Sequence, residues 1–244
     1  MNVLSIGNSF SQDAQRYLHG IARSAGVKLE CFNLYIGGCS LSRHYRNMLS
    51  TDEAYTLEMN GSSTGFYVSI REALLSRDWD IITVQQVSGQ SVDYGTYQPY
   101  LGRLVEYIRE CAPKAKLAIH QTWAYEEDSY RLTIERGYAH HKDMLADIIS
   151  SYDRAYTDVS ADILIPSGEV MGELFSAGIE KIHRDTFHAA YGIGRYAIGL
   201  IWFATLTAKD VQNVSFTDFD EPVSAAEIET AKECVRRIYE KYHK

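Results

Sequence analysis

Val3-Leu-Ser-Ile-Gly-Asn-Ser-Phe-Ser11 is a short apolar run that stops abruptly at Gly-Asn-Ser, with a helical pattern beginning a few residues later. It predicts a first parallel strand that delivers Ser9 to its carboxyl end. That edge of an open α/β sheet is where ligands and chemistry collect. Working outward, further strands are expected over residues 28–35, 80–86 and 116–120, and a weaker one near Tyr156 or over 162–165. Helical stripes fill the gaps: Tyr17, Leu18, Ile21, Ala22 and Ala25 before Gly26, Leu101, Leu104, Val105 and Ile108 before Pro113, then Met144, Leu145, Ile148 and Ile149. This alternation predicts a parallel sheet covered on both faces. With right-handed crossovers it becomes a three-layer α/β/α sandwich. Residues 54–68 break the rhythm. Asn60-Gly61 lies between partly alternating flanks and predicts an inserted β-hairpin. Residues 123–137 are polar and aromatic and predict a loop over the strand ends. No repeat or linker divides the chain, so a single domain over 1–244 is expected.

Composition narrows the partners. The 244 residues are 45% hydrophobic with a net charge of −8, and the lysines and arginines are scattered. That balance argues against nucleic acid or an anionic membrane. The richest apolar stretch, 197–206, is far shorter than a membrane span. Met1-Asn2 leads straight into the first strand, so a cytoplasmic location is expected unless a leader was removed. Cys31, Cys39, Cys111 and Cys234 show no paired spacing and read as isolated thiols.

A second stretch, Asp185-Thr-Phe-His188, supplies what a nucleophilic serine needs. A serine hydroxyl attacks well only when a base takes its proton, and a carboxylate often fixes that base. Asp185 and His188 lie close enough in sequence to meet on one turn. Asp185 either orients the imidazole directly or leaves that to a backbone carbonyl. Each motif has a plainer reading: a helix cap for Ser9, a loop salt link for the pair. After the second predicted strand, Gly37-Gly38 lets backbone N–H groups approach a ligand. The third ends in Gln85-Gln86, two amides on opposite faces that need partners if buried.

The ordered set resembles the SGNH (GDSL-type) hydrolase superfamily. It comprises Ile6-Gly-Asn-Ser-Phe-Ser, Leu34-Tyr-Ile-Gly-Gly-Cys-Ser and Asp185-Thr-Phe-His-Ala-Ala-Tyr-Gly-Ile-Gly-Arg. The pattern is closest to a poorly characterised bacterial branch. The resemblance implies a flavodoxin-like, parallel five-stranded sheet and ester hydrolysis without a metal or other cofactor. It casts Ser9 as nucleophile, His188 as base and Asp185 as its orienter. The Ser9 and Gly38 amides become oxyanion donors. Asn8 replaces the family's usual aspartate. The third block departs further: the family expects Gly-x-Asn, but this chain reads Gln85-Gln-Val-Ser-Gly-Gln90. Gln86 is the expected third donor, with Gln85 and Gln90 as alternatives.

His120, Trp123 and Tyr125 fall at the same predicted edge and are expected to line a substrate pocket, with a core or capping role as the alternative for the first two. His140-His141 and His183 lack metal-ligand spacing, so no metal is expected. Gly192-Ile-Gly194 lacks the setting of a dinucleotide fingerprint. The expected activity is hydrolysis of short acyl esters, acetyl foremost, with a carbohydrate alcohol suggested by 18 tyrosines. A non-catalytic glycan or small-ligand binding module and an acyltransferase are the alternatives. The sequence leaves the oligomeric state open.

Overall fold

The computed structural model describes residues 1–243. Its centre is the strand read first, β1 (Asn2–Gly7), which runs parallel to both β2 (Glu30–Tyr35) and β5 (Ile81–Val84). Val3 to Gly7 are all buried, as a strand covered on both faces requires. Beyond β5 lie β6 (Lys116–His120) and β7 (Ile163–Ile165), both parallel to their neighbours. The five expected parallel strands are therefore β2-β1-β5-β6-β7. The weaker choice falls on 163–165, and Tyr156 instead lies on a helix.

The sheet has seven strands, not five. The hairpin of β3 (Tyr55–Met59) and β4 (Ser62–Val68) forms where expected. Asn60 and Gly61 take left-handed φ of 51° and 79°, as a two-residue hairpin turn demands. It does not stand apart: β3 pairs antiparallel with β2, giving the order β4-β3-β2-β1-β5-β6-β7. An uncovered β2 would leave a row of unpaired backbone groups, and the hairpin satisfies them.

Alternation along the strands sends side chains to two cores. Val3, Cys31 and Ile81 pack under α1 (Ser9–Gln15), α2 (Leu18–Ser24), α7 (Ser167–Ser176), α8 (Ile193–Thr207) and α9 (Ala225–His243). Leu4, Phe32 and Ile82 pack under α3 (Leu41–Ser50), α4 (Ile70–Leu75), α5 (Tyr100–Cys111) and α6 (His141–Asp158). α8 is buried almost throughout, with Ile201, Trp202 and Phe203 wholly inside. Residues 123–137 are irregular except for one π-helical turn, Arg131–Glu135. No described helix is long and apolar enough to cross a membrane.

Candidate active site

Two helices follow β1: α1 begins at Ser9 itself, and the apolar stripe that starts at Tyr17 falls on α2. Asn8 is the cap: its Oδ1 accepts from the Phe10 N–H at 3.0 Å. This releases the next residue from capping duty and leaves the Ser9 hydroxyl for chemistry. The turn is tight because Gly7 lies against α1. A Cβ there would come within 2.1 Å of Ser11 Oγ.

Asp185 and His188 lie between α7 and α8, on a segment closed by a bridge between His183 and Ala189. Asp185 Oδ1 accepts from the Phe187 and His188 N–H groups at 2.9 and 2.8 Å, a local turn that brings the two side chains together. Asp185 Oδ2 lies 2.8 Å from His188 Nδ1, and His188 Nε2 lies 2.8 Å from Ser9 Oγ. An ionised carboxylate only accepts, so Nδ1 carries the proton and Nε2 accepts from the serine hydroxyl. Partial burial opposes the charge on Asp185. The hydrogen bonds from His188 and Phe187 outweigh that and hold its pKa down to about 2. The imidazole is thus oriented by the carboxylate rather than by a backbone carbonyl.

Gly38 follows β2 with a left-handed φ of 61°. Its N–H and that of Ser9 have no intramolecular acceptor among the described residues. Asn8 ties the two loops together: its Nδ2 donates to the Cys39 carbonyl at 3.0 Å. An aspartate at this position would offer no such donor.

Gln86 is a correction. It is wholly buried, its Oε1 accepts from Leu41 and Val87 N–H at 3.0 and 2.9 Å, and its Nε2 donates to the Thr96 carbonyl and hydroxyl. Its amide N–H groups are engaged by Thr96 rather than offered to a ligand. Gln85 points to the other face, donating to Asn8 Oδ1 at 2.8 Å and accepting from His120 Nδ1 at 2.6 Å. It supports the turn that carries Ser9. Gln90 ends a short 3₁₀ turn, Ser88–Gln90, and is exposed.

The expected pocket residues are also corrected. His120, Trp123 and Tyr125 are at most 1% exposed and lie beneath the site, not around it. His120 sits between Gln85 and Ser167. Trp123 stacks on Phe10 at 4.0 Å between ring centres and donates to the Phe187 carbonyl at 2.8 Å. It therefore braces the neighbour of Ser9 and the neighbour of His188 at once. Tyr125 packs edge-on under Phe187.

Three groups escaped the sequence reading: Asp13, Arg184 and Arg195. Asp13 is a wholly buried carboxylate one turn after Ser9, paired with both arginines. The available signal was an acid on the apolar side of a short helix and an arginine directly before Asp185. Among the described residues no three His, Cys, Asp or Glu side chains converge as metal ligands would. A cleft of about 590 Å³ lined by Glu127, His141, Leu145 and Phe175 includes none of Ser9, Asp185 or His188.

The fold is shared with SGNH hydrolases of solved structure. Within it, the family model described as a domain of unknown function, DUF4886, matches residues 2–237, and the chain belongs to that family. A DUF4886 family protein from Bacteroides uniformis is 32% identical, with a TM-score of 0.93 over 100% of this chain and 96% of that one. A candidate SGNH hydrolase from Slackia heliotrinireducens is 21% identical, TM-score 0.60, over 84% and 98% of the two chains. Axe2, an acetylxylan esterase from Geobacillus stearothermophilus, is 12% identical, TM-score 0.51, over 88% and 94%. No curated protein matches the sequence.

Proposed function

We propose that this protein is a serine esterase working through an acyl-serine intermediate. The observation that carries the reading is the unbroken relay Asp185–His188–Ser9, with both links at 2.8 Å. Ser9 Oγ attacks the ester carbonyl while His188 Nε2 takes its proton. The Ser9 and Gly38 N–H groups hold the oxyanion. Collapse expels the alcohol, which receives the proton from His188. Water then repeats the sequence and frees the acid and Ser9. Asp185 stays ionised throughout and stabilises the imidazolium.

The acyl group is short, acetyl foremost. Phe10 and Trp123 stack and fill the space beneath the nucleophile, which suits an acyl group of a few carbons. The alcohol is a carbohydrate. Supporting this, Tyr35 pairs with Gly7 across the sheet, Thr56 with Tyr35 and Tyr67 with Thr56. These three side chains share one face, at a strand spacing of about 4.8 Å. Tyr67 is 65% exposed, and two tyrosines with a threonine between them, leading away from the nucleophile, suit stacking on sugar rings.

The occupied Gln86 favours one competing reading, a binding module that lacks a third oxyanion donor. The test is a panel of acetyl, butyryl and octanoyl nitrophenyl esters followed by acetylated sugars, with wild type and Ser9→Ala. Turnover lost in Ser9→Ala supports the esterase. Ligand binding without turnover in wild type supports the module. Product analysis with an added alcohol acceptor separates hydrolysis from acyl transfer.

A further inference from the structure

Ser9 and His188 are 179 residues apart in sequence, yet their side chains meet at 2.8 Å. The serine rides on α1. The histidine rides on a loop with little regular structure. Something must register one against the other, and the relay cannot do so itself. A hydrogen bond from a flexible loop would not fix its own geometry against the entropy of that loop.

Asp13 lies four residues after Ser9, one turn along the same helix and on the same side. Its carboxylate is fully buried. Arg184 Nη1 reaches both its oxygens at 2.8 Å, and the Ala189 N–H reaches Oδ2 at 3.2 Å. Arg184 directly precedes Asp185, and Ala189 directly follows His188. Asp13 therefore grips both ends of the segment that carries the acid and the base. Arg184 closes that segment further, through Nη1 to the Ala189 carbonyl at 2.6 Å and through its N–H to the His188 carbonyl at 3.0 Å. Arg195 Nε reaches Asp13 Oδ1 at 2.8 Å, but from α8 and outside the segment. It also holds Asp220, which pairs in turn with Arg16 on the α1 side.

We propose that Asp13, acting through Arg184 and the Ala189 amide, is a positioning residue that sets the Ser9–His188 distance. This rests on the esterase reading for its kinetic consequences. A buried carboxylate held at once by a guanidinium nitrogen and a backbone N–H is suited to the task, because charge-assisted hydrogen bonds away from water are short and directional where a surface pair is not. The two arginines around one carboxylate supply an internal control. Arg184 belongs to the catalytic segment and Arg195 does not, so positioning and simple stabilisation separate.

The experiment compares Asp13→Asn, Arg184→Gln and Arg195→Gln with wild type. It reads kcat, KM, melting temperature and the rate at which an organophosphonate labels Ser9. Asp13→Asn and Arg184→Gln are expected to lose kcat by ~10²-fold, the scale of a misplacement near 1 Å. KM changes by less than about threefold, and labelling slows in step with kcat. Arg195→Gln lowers the melting temperature but keeps kcat within about threefold. Wild-type kcat in folded Arg184→Gln, or equal kcat losses in the two arginine variants, would overturn the proposal. That comparison stands even if Asp13→Asn does not fold. The Nδ1 proton of His188, followed by NMR in a Ser9→Ala background, gives a reading independent of turnover. Its resonance should move in Arg184→Gln and stay in Arg195→Gln, and the reverse contradicts the proposal. If wild type neither labels nor hydrolyses any ester, the esterase reading fails, and the proton alone decides whether Asp13 positions the segment.

Discussion

β1 and β5 run side by side and both end in polar pairs, Asn8-Ser9 and Gln85-Gln86. The first pair divides its labour. The Asn8 side chain takes the structural hydrogen bonds, from Phe10 N–H and Gln85 and to the Cys39 carbonyl, and the Ser9 hydroxyl meets His188. In the second pair both amides are structural, Gln85 holding Asn8 and His120 and Gln86 holding Leu41, Val87 and Thr96. A polar residue at this edge of the sheet is therefore free for chemistry only where a neighbour relieves it of hydrogen-bonding work. The buried amide groups around β5 leave nothing over.

The largest expected break in that contrast is Ser9→Ala. It should lower kcat by ~10⁴-fold or more with melting temperature nearly unchanged, since removal of a nucleophile leaves only binding and oxyanion stabilisation. Steady-state kinetics beside thermal unfolding check it. A fold lost with the activity would make Ser9 structural, like the glutamines. Asn8→Asp sharpens the division of labour. It sets a carboxylate against the Cys39 carbonyl and removes one donor, so kcat should fall about tenfold, the worth of roughly one hydrogen bond. Gln86→Ala should behave oppositely, leaving kcat within about threefold while costing ~1–3 kcal/mol of unfolding free energy through the orphaned Leu41 and Val87 N–H groups. A large kcat loss with intact stability in chemical denaturation would restore Gln86 as an oxyanion donor.

The pH dependence follows from the carboxylates. Asp185 is held at about 2 by hydrogen bonds that outweigh its burial, and Asp220 at about 2, chiefly by its hydrogen bond with Arg16. Their folded pKa values lie below the ordinary value of about 3.9, so the stability they contribute is present above that value. It is lost as pH falls through about 2. The melting temperature should therefore decline between about pH 4 and pH 2. The smallest expected effect is that of dialysis against a strong chelator, which should leave turnover unchanged.

Much of this was legible in the sequence because it depends on local pattern. The Val3–Ile6 run, the alternation of strands and helices and Asn60-Gly61 each express a backbone rule, and the sheet core and hairpin follow from them. That the hairpin would extend the main sheet was not legible, because which strand edge lies open is a property of the whole sheet. The site divides in the same way. Asp185, Phe187 and His188 meet through one short turn, which their spacing allows. The directions of Gln86, His120, Trp123 and Tyr125 depend on partners 10 to 64 residues away, and pattern alone does not tell a lining side chain from a supporting one. Asp13 was hidden for the same reason, its arginines lying 171 and 182 residues further on.

A nucleophilic Ser9 activated by His188 must react with a reagent that phosphonylates such serines. The most direct measurement is the intact mass of the protein after exposure to an organophosphonate, followed by peptide mapping. One adduct per chain is expected, on Ser9, forming at least about a hundredfold more slowly in His188→Ala. An unmodified protein, or an adduct on any other residue at the same rate in both forms, would contradict it.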